Sequence, residues 1–368
     1  FVSFDDGARW QPFQLNLPIV PITDLAIKND DLIVATQGRA FWVLDDLTPV
    51  RQLKTELADK PLHAFEPRAA YRLPGGGFGG GDDDDRPPPR TAGQNPPNGA
   101  LLHIWLKDAP AKDAAARIEI RDADGAVVRE FSPKAERPAD KWEPKKGMNR
   151  FVWDLRASAA ESFPGMVLWG GLPAPRVVPG RYQARVVVGS HEQSVPIDVL
   201  ADPRSSATPD DRIAQYRFLI ALRDKVTEIH RTVRQMRDVR DQLANLRKRL
   251  KERTESAEII EQIQNFEKQM TAIEDALHQT KAKSSQDVLN FPIRLNNKLV
   301  SLAGAASDGD RRPTDQALQV GEELTRQADA ELAKWRVLVD SELPRLNALL
   351  AQKKVPGVFA DSPADKKP

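Results

Sequence analysis

The first 58 residues carry short apolar runs that are separated by turn residues. Three of these runs are ITDLAIK, DLIVAT and AFWVLDD, and the residues between them are Asn29-Asp30 and Gln37-Gly38-Arg39. Apolar and β-branched runs bounded by such residues predict an antiparallel meander. Two further runs, VSFD and WQPFQL, come earlier in the chain. Five strands of this kind cannot bury a core of their own, because each face of the sheet needs a packing partner.

Residues 59–99 have the composition of a linker. They include LPGGGFGGGDDDDRPPPRTAGQNPPNG, which combines glycine, aspartate and proline and cannot build a packed core. The adjacent carboxylates of Asp82, Asp83, Asp84 and Asp85 offer oxygen ligands to calcium, but the spaced pattern of a dedicated calcium loop is missing. We interpret the segment as a solvated linker and expect no cofactor, with calcium at these aspartates as the alternative.

Strand patterns return over residues 100–202. The runs ALLHIWLK, ARIEIRDADGAVVREF, GMNRFVWDLR and GRYQARVVVGSHEQSVPIDVL are typical of a β-sandwich. Ile118, Ile120 and Val127 fall on positions that we expect to face inward. The aromatic residues expected in the core or at its rim are Trp153, Trp169 and Tyr182.

From residue 203 to residue 355 the apolar residues recur at steps of three and four. Thr208 ahead of Pro209 predicts the N-cap of a long helix. Further helical segments are predicted on either side of Pro292 and from Pro313 onward. The apolar seam of the first helix is expected to comprise Leu219, Leu222, Val226, Ile229, Val233, Met236, Val239, Leu243, Leu246 and Leu250. We predict long antiparallel helices, followed by a polar tail over residues 356–368. Their seam is expected to close a hairpin within the chain, because the second helix supplies a matching partner, with pairing between two chains as the alternative.

The opening stretch SFDDGARW fits the pattern S-x-D-x-G-x-x-W, with Ser3, Asp5, Gly7 and Trp10 at the fixed positions. In such a turn the carboxylate can accept backbone N–H groups, and the glycine can adopt a positive φ. The pattern resembles the Asp-box of BNR-repeat β-propellers, such as sialidases and sortilin-type propellers, where it joins the third and fourth strands of a blade. The resemblance implies that Asp5 is structural and that residues 1–58 are terminal, incomplete propeller blades.

A second stretch, DLIVATQGRAFWVLDDLTPVRQL, is similar to the terminal propeller segment of large bacterial sortilin-like glycosyl hydrolase proteins, which have a glycine where this chain has Ala40. In that group an Ig-like sandwich and a helical tail follow the propeller, and GMNRFVWDLR and VPGRYQARV resemble the sandwich. The resemblance implies a multidomain β + α chain with partial β-propeller blades, an Ig-like β-sandwich and a long antiparallel helical bundle. It also implies a bacterial protein that is periplasmic or secreted.

Composition argues against several classes of function. The formal net charge of +1 gives no overall attraction to nucleic acid, and the lack of cysteine excludes disulfides, thiolate catalysis and Cys-based zinc sites. No apolar run reaches the length that a transmembrane segment needs. We expect no metal site from the histidines, because they lie in different regions of the sequence and make no i, i+4 pair on a helix. They are His63, His103, His191, His230 and His278.

Arg39, Phe41 and Trp42 form the candidate ligand surface. An arginine fork suits carboxylates, and a tryptophan face stacks on sugar rings. The alternative is that Trp42 packs between blades and that Arg39 binds turn carbonyls.

Two functional hypotheses follow from the resemblance. In the first, the chain is the non-catalytic C-terminal interaction or structural region of a secreted or envelope propeller protein, which contacts upstream blades and binds a protein, peptide or glycan. In the second, it is the C-terminal part of a BNR-type glycoside hydrolase whose catalytic carboxylates lie upstream. Under either hypothesis we expect no catalysis by this chain alone.

Overall fold

The structure is a computed structural model that describes residues 1–73, 93, 95–111, 113–250 and 257–360. The chain divides into two compact units. Unit 1 comprises Phe1–Leu155 and Gly180–Leu200, and unit 2 comprises Arg156–Pro179 and Ala201–Pro368. Strands dominate unit 1 and helices dominate unit 2, so the chain is a mixed β and α protein. The excursion of Arg156–Pro179 into unit 2 was not foreseen from the sequence. The aspartates proposed for calcium lie outside the described residues.

The first sheet of unit 1 is a three-stranded antiparallel meander. Its strands are β1 (Ile22–Lys28), β2 (Asp31–Thr36) and β3 (Phe41–Leu44), in the order β1-β2-β3. Asn29 and Asp30 connect the first two strands with φ values of 51° and 63°, as a tight hairpin turn requires. The runs VSFD and WQPFQL form only an isolated bridge between Val2 and Gln11, so regular strands are not found there.

After a short helix, α1 (Thr48–Arg51), unit 1 continues with two more sheets. The strands are β4 (Leu62–Ala64), β5 (Ala70–Arg72), β6 (Ala100–Leu106), β7 (Ala116–Arg121), β8 (Val127–Phe131), β9 (Gly147–Trp153), β10 (Gly180–Val188) and β11 (His191–Ala201). One sheet has the order β5-β11-β10-β7-β8 and the other has the order β4-β6-β9. β4 and β5 fall inside the predicted linker, because Leu62, Ala64 and Ala70 are apolar and become buried in these sheets.

The apolar faces of these two sheets form the core of unit 1. Ile118 and Ile120 are fully buried, as predicted, and Trp153 packs edge-on against Tyr182 with ring centroids 5.3 Å apart. Val127 is exposed, however, so its predicted inward position is wrong. The register of β7 and β8 shifts between Ile120 and Arg121, and a β-bulge of this kind turns the following side chain away.

Trp169, which the sequence placed in the core or at its rim, is exposed in unit 2.

The inward position opposite Ile120 on β8 is taken by Arg129, whose guanidinium is buried. Asp140 and Asp154, which lie outside the strands, pair with this guanidinium at 2.8 and 2.7 Å, so its charge is compensated.

The described residues of unit 2 form five α-helices. They are α2 (Pro209–Leu250), α3 (Ala257–Leu277), α4 (Leu295–Ala306), α5 (Asp315–Val337) and α6 (Leu343–Gln352). All ten seam positions predicted for α2 are buried. Arg237 pairs with Glu274 and Arg247 pairs with Glu267, so α2 and α3 run antiparallel within the chain. Pairing of the seam inside the chain was predicted from the sequence.

The ends and breaks of these helices follow from single residues. The Thr208 side chain accepts from the Asp211 N–H at 3.2 Å, and the Asp211 carboxylate accepts from the Thr208 N–H at 3.1 Å, which is a reciprocal cap on α2. Between α5 and α6 the residues Leu338–Glu342 form a π-helical turn. Pro344 explains it, because proline has no N–H for the carbonyl four residues earlier and its ring clashes there.

Two further sequence predictions concern the C-terminal part. The segment around Pro292 is non-helical, and α4 begins only at Leu295. The predicted polar tail begins with residues that are held in unit 2. Val358 is buried, and its N–H and carbonyl bond the side chain of Asn347.

Candidate functional site

The opening loop holds its polar residues in one hydrogen-bond network. The Ser3 hydroxyl donates to Asp5 at 2.9 Å and accepts from the Gly7 N–H at 2.8 Å. The Asp5 carboxylate accepts from the Arg9 N–H at 2.8 Å, and Gly7 has a φ of 91°. Asp5 is therefore occupied with the backbone of its own turn. The Trp10 ring lies against Gly7 but is 63% exposed.

The sheet β1-β2-β3 carries apolar side chains on both faces. Directly opposite residues of antiparallel strands share a face, so the register places these side chains unambiguously. One face carries Leu25, Ile27, Leu32, Val34, Trp42 and Leu44, and the other carries Ala26, Ile33, Ala35, Phe41 and Val43 together with the charged residues Asp24, Lys28 and Asp31. Leu25 and Ile27 on the first face are each 60% exposed, and Phe41 and Val43 on the second face are 75% and 53% exposed. Neither face is therefore fully covered.

The three residues of the predicted ligand surface do not converge. Phe41 and Trp42 are neighbours on β3 and point to opposite faces. The Trp42 indole N–H donates to the Arg39 carbonyl at 3.0 Å, so it closes the turn before β3. Between them Ala40 has a φ of 59°, the left-handed region that favours glycine. Phe41 is the one of the three that offers a large exposed apolar side chain.

A second cluster of unit 1 surrounds Asp46. Its Oδ1 accepts from the Thr48 N–H at 3.1 Å, while Oδ2 is buried 3.7 Å from His103 Nδ1. His63 and His103 lie on the same face of neighbouring strands, because His63 is opposite Trp105 and His103 is two residues earlier on β6. Burial lowers the pKa of both histidines. For His103 the Asp46 carboxylate partly opposes this effect.

The other close pair of histidines lies in unit 2, where His230 and His278 flank Asn296. The Asn296 Oδ1 accepts from the Asn297 N–H at 2.7 Å, so its amide nitrogen faces the histidines. That nitrogen is 3.1 Å from His230 Nε2 and 3.4 Å from His278 Nδ1. Both ring nitrogens must act as acceptors and are unprotonated. These two histidines are far apart in the sequence, and they come together only through the packing of α2, α3 and α4.

Burial keeps both of these histidines neutral. It lowers the pKa of His230 from 6.5 to about 4 and that of His278 to about 4. Near His230 the Glu161 carbonyl opposes the shift and Arg234 adds to it. In the case of His278, the charge of Arg237 lowers the pKa further, and the Glu274 carboxylate opposes the lowering.

A segment without helix or strand, residues 158–164, lies along α2 next to this pair, and we call it the strap. Five α2 side chains hydrogen-bond its backbone, and we call them the polar stripe: Arg223, Thr227, His230, Arg234 and Arg237. Their spacing of four, three, four and three residues places them on one face of the helix. The polar stripe was not predicted from the sequence, although its heptad spacing is a detectable signal.

Comparison with known proteins gives no further guide. No family model, curated protein or solved structure matches the chain. Within the described ranges, no group of three or more histidine, aspartate or glutamate side chains is arranged to hold a metal ion. Also within those ranges, none of the helices combines the length and the apolar character that crossing a membrane requires.

Proposed function

We propose that the chain is a non-catalytic interaction module in which the sheet β1-β2-β3 packs between further β-sheets, as a blade of a BNR-type propeller does. The observation that carries the proposal is that both faces of this sheet present exposed apolar side chains, Leu25 and Ile27 on one and Phe41 and Val43 on the other. A sheet with one solvated face alternates apolar and polar residues, whereas a sheet covered on both faces does not. Propeller blades are covered on both faces by their neighbours in the ring.

Two local features support the same proposal. The opening loop has the hydrogen bonds expected of an Asp-box, with Ser3 and Asp5 bonded to backbone N–H groups of the turn. Ala40 adopts the left-handed conformation at the position where the sortilin-like proteins have glycine. In a propeller of this kind, an Ig-like sandwich would correspond to the strands from β4 to β11.

The partners under this proposal are neighbouring blades and a protein, peptide or glycan bound by the assembled module, in a periplasmic or secreted setting. Phe41 is the side chain that we expect to be covered first, since it is the most exposed apolar residue of the sheet. The glycoside-hydrolase alternative places its carboxylates outside this chain, and no observation on the described residues favours it.

Amide hydrogen exchange tests the proposal. We expect the amides of β1 and β3 to exchange at least tenfold more slowly in the complete natural polypeptide than in this chain alone. Those of α4 serve as the control and should exchange equally in both. Equal exchange of β1 and β3 in the two samples would contradict the proposal. Hydrolysis of any member of a polysaccharide panel by this chain alone would contradict its non-catalytic character.

A further inference from the structure

The polar stripe contacts the strap mainly through main-chain atoms. The carbonyls of Ser158, Ser162 and Pro164 accept from Arg223, Arg234 and Arg237 at 3.2, 2.6 and 2.9 Å. The Glu161 N–H donates to the Thr227 hydroxyl at 3.3 Å, and its carbonyl lies 2.6 Å from His230 Nδ1. Because a carbonyl can only accept, Nδ1 of His230 carries the proton and donates.

The two segments match in length. From Arg223 to Arg237 the helix rises about 21 Å at 1.5 Å per residue. From Ser158 to Pro164 an extended chain covers about 20 Å at 3.3 Å per residue. The contacts also advance in the same direction along both segments. The polar stripe therefore follows the backbone of an extended peptide one contact after another.

Two strap side chains, those of Glu161 and Phe163, are bound by polar or aromatic groups of the helices. The Glu161 carboxylate accepts from Arg231 Nε at 2.9 Å and lies 3.6 Å from the Arg234 guanidinium. Phe163 is buried, with its ring edge-on to His230 and His278 at centroid distances of 5.2 and 4.9 Å. The Arg237 guanidinium covers the same ring at 4.6 Å.

These contacts have the form of a peptide-binding site. In such sites main-chain hydrogen bonds supply affinity, and pockets for alternate side chains supply specificity. Glu161 and Phe163 are alternate residues, and the other hydrogen bonds between the polar stripe and the strap involve main-chain atoms that any peptide has. Nothing in this arrangement requires the bound segment to be joined covalently to the chain.

We propose that the polar stripe is a binding surface for an extended peptide that carries a carboxylate two residues before an aromatic side chain, and that the strap occupies it as an intramolecular ligand. The Phe163 carbonyl accepts from the Met166 N–H in a turn at the C-terminal end of the strap. Its own bound side chains define the chemistry of a competing partner. This inference does not depend on the propeller proposal, because all its residues belong to unit 2.

A labelled peptide with the sequence of residues 157–166, ASAAESFPGM, tests the proposal by fluorescence anisotropy. The receptor is the full chain with Glu161→Ala and Phe163→Ala, which weakens the strap and leaves the polar stripe unchanged. We expect this variant to bind the peptide at least tenfold more tightly than the unaltered chain does. A control peptide with alanine in place of both its glutamate and its phenylalanine should bind at least tenfold more weakly.

A second pair of substitutions guards against loss of folding. If the alanine variant loses helical circular dichroism, the receptor becomes the chain with Glu161→Gln and Phe163→Leu, which preserves volume. Adding Arg234→Ala to the folded receptor should reduce peptide binding at least fivefold. Equal binding of the two peptides, or no binding by a receptor with intact helical signal, would overturn the proposal.

Discussion

Lowering the pH from 7 to 5 is expected to destabilise unit 2 through His230 and His278. Each has a pKa of about 4 in the folded chain, against 6.5 for an unperturbed histidine. The unfolded chain therefore takes up protons that the folded chain cannot, and stability falls as the pH falls from about 6.5 towards 4. The loss at pH 5 is about 2 kcal/mol for each histidine, since one pKa unit corresponds to about 1.4 kcal/mol.

This magnitude needs no discount for solvent screening. His230 and His278 are 0% and 2% exposed, and no proton fits on the ring nitrogens that face Asn296. The charged groups around the pair are Glu161, Arg234, Arg237, Glu274 and Asp275. The carboxylates favour the protonated histidines, but burial outweighs them and lowers both pKa values. Paired carboxylates add acid sensitivity only at lower pH, because their unfolded pKa values lie near 4.

Urea unfolding followed at 222 nm at pH 7 and pH 5 measures the effect, because this signal reports mainly on the helices. The unaltered chain should lose about 4 kcal/mol more than the variant with His230→Gln and His278→Gln. The variant removes only these two titrating groups and retains His63 and His103, whose lowered pKa values act in the same pH range. An equal pH dependence of the two proteins would refute the reasoning.

Three other substitutions give independent checks. Ala40→Gly should stabilise unit 1 by about 0.5 to 1 kcal/mol because it relieves the left-handed φ of 59°, and a lower melting temperature would contradict this. Gly99→Ala would place its Cβ 2.2 Å from a backbone carbonyl and should lower the free energy of unfolding by more than about 4 kcal/mol. The control Gly125→Ala also has a positive φ but meets open space, so it should cost only about 1 to 2 kcal/mol. Equal shifts in the melting temperature of the two variants would contradict this. Glu274→Ala should lower the free energy of unfolding in urea by about 2 to 3 kcal/mol, because two arginines lose the carboxylate that pairs with them. The control Glu267→Ala should lower it by less than about 1 kcal/mol. A larger loss for Glu267→Ala than for Glu274→Ala would contradict this.

The parts of the fold that depend on local signals were predictable. The buried seam of α2 and its cap at Thr208 are encoded by residues within one or two turns of each other. Val127 was misplaced because a bulge changes the strand register, which alternation cannot indicate. β4 and β5 were hidden because three-residue strands are too short to show a period.

The sites were less accessible from sequence than the fold. Asp5 and Gly7 could be assigned to a turn because their motif is contiguous. The pairing of His230 with His278 depends on tertiary packing of three helices, so their separation in sequence conceals it. The strap was missed for another reason, because its contacts use carbonyl oxygens that are common to all residues.

The excursion of residues 156–179 has a consequence for biosynthesis. The last strand of unit 1 is synthesised before the first residue of α2. Phe163 precedes Arg237 by more than seventy positions, which at 5 to 20 residues per second is a delay of roughly 4 to 15 s. During that interval the strap has no helix to bind. A chaperone that recognises short apolar segments would be able to bind at Phe163 during this interval. Slow translation just after residue 201 would lengthen the interval.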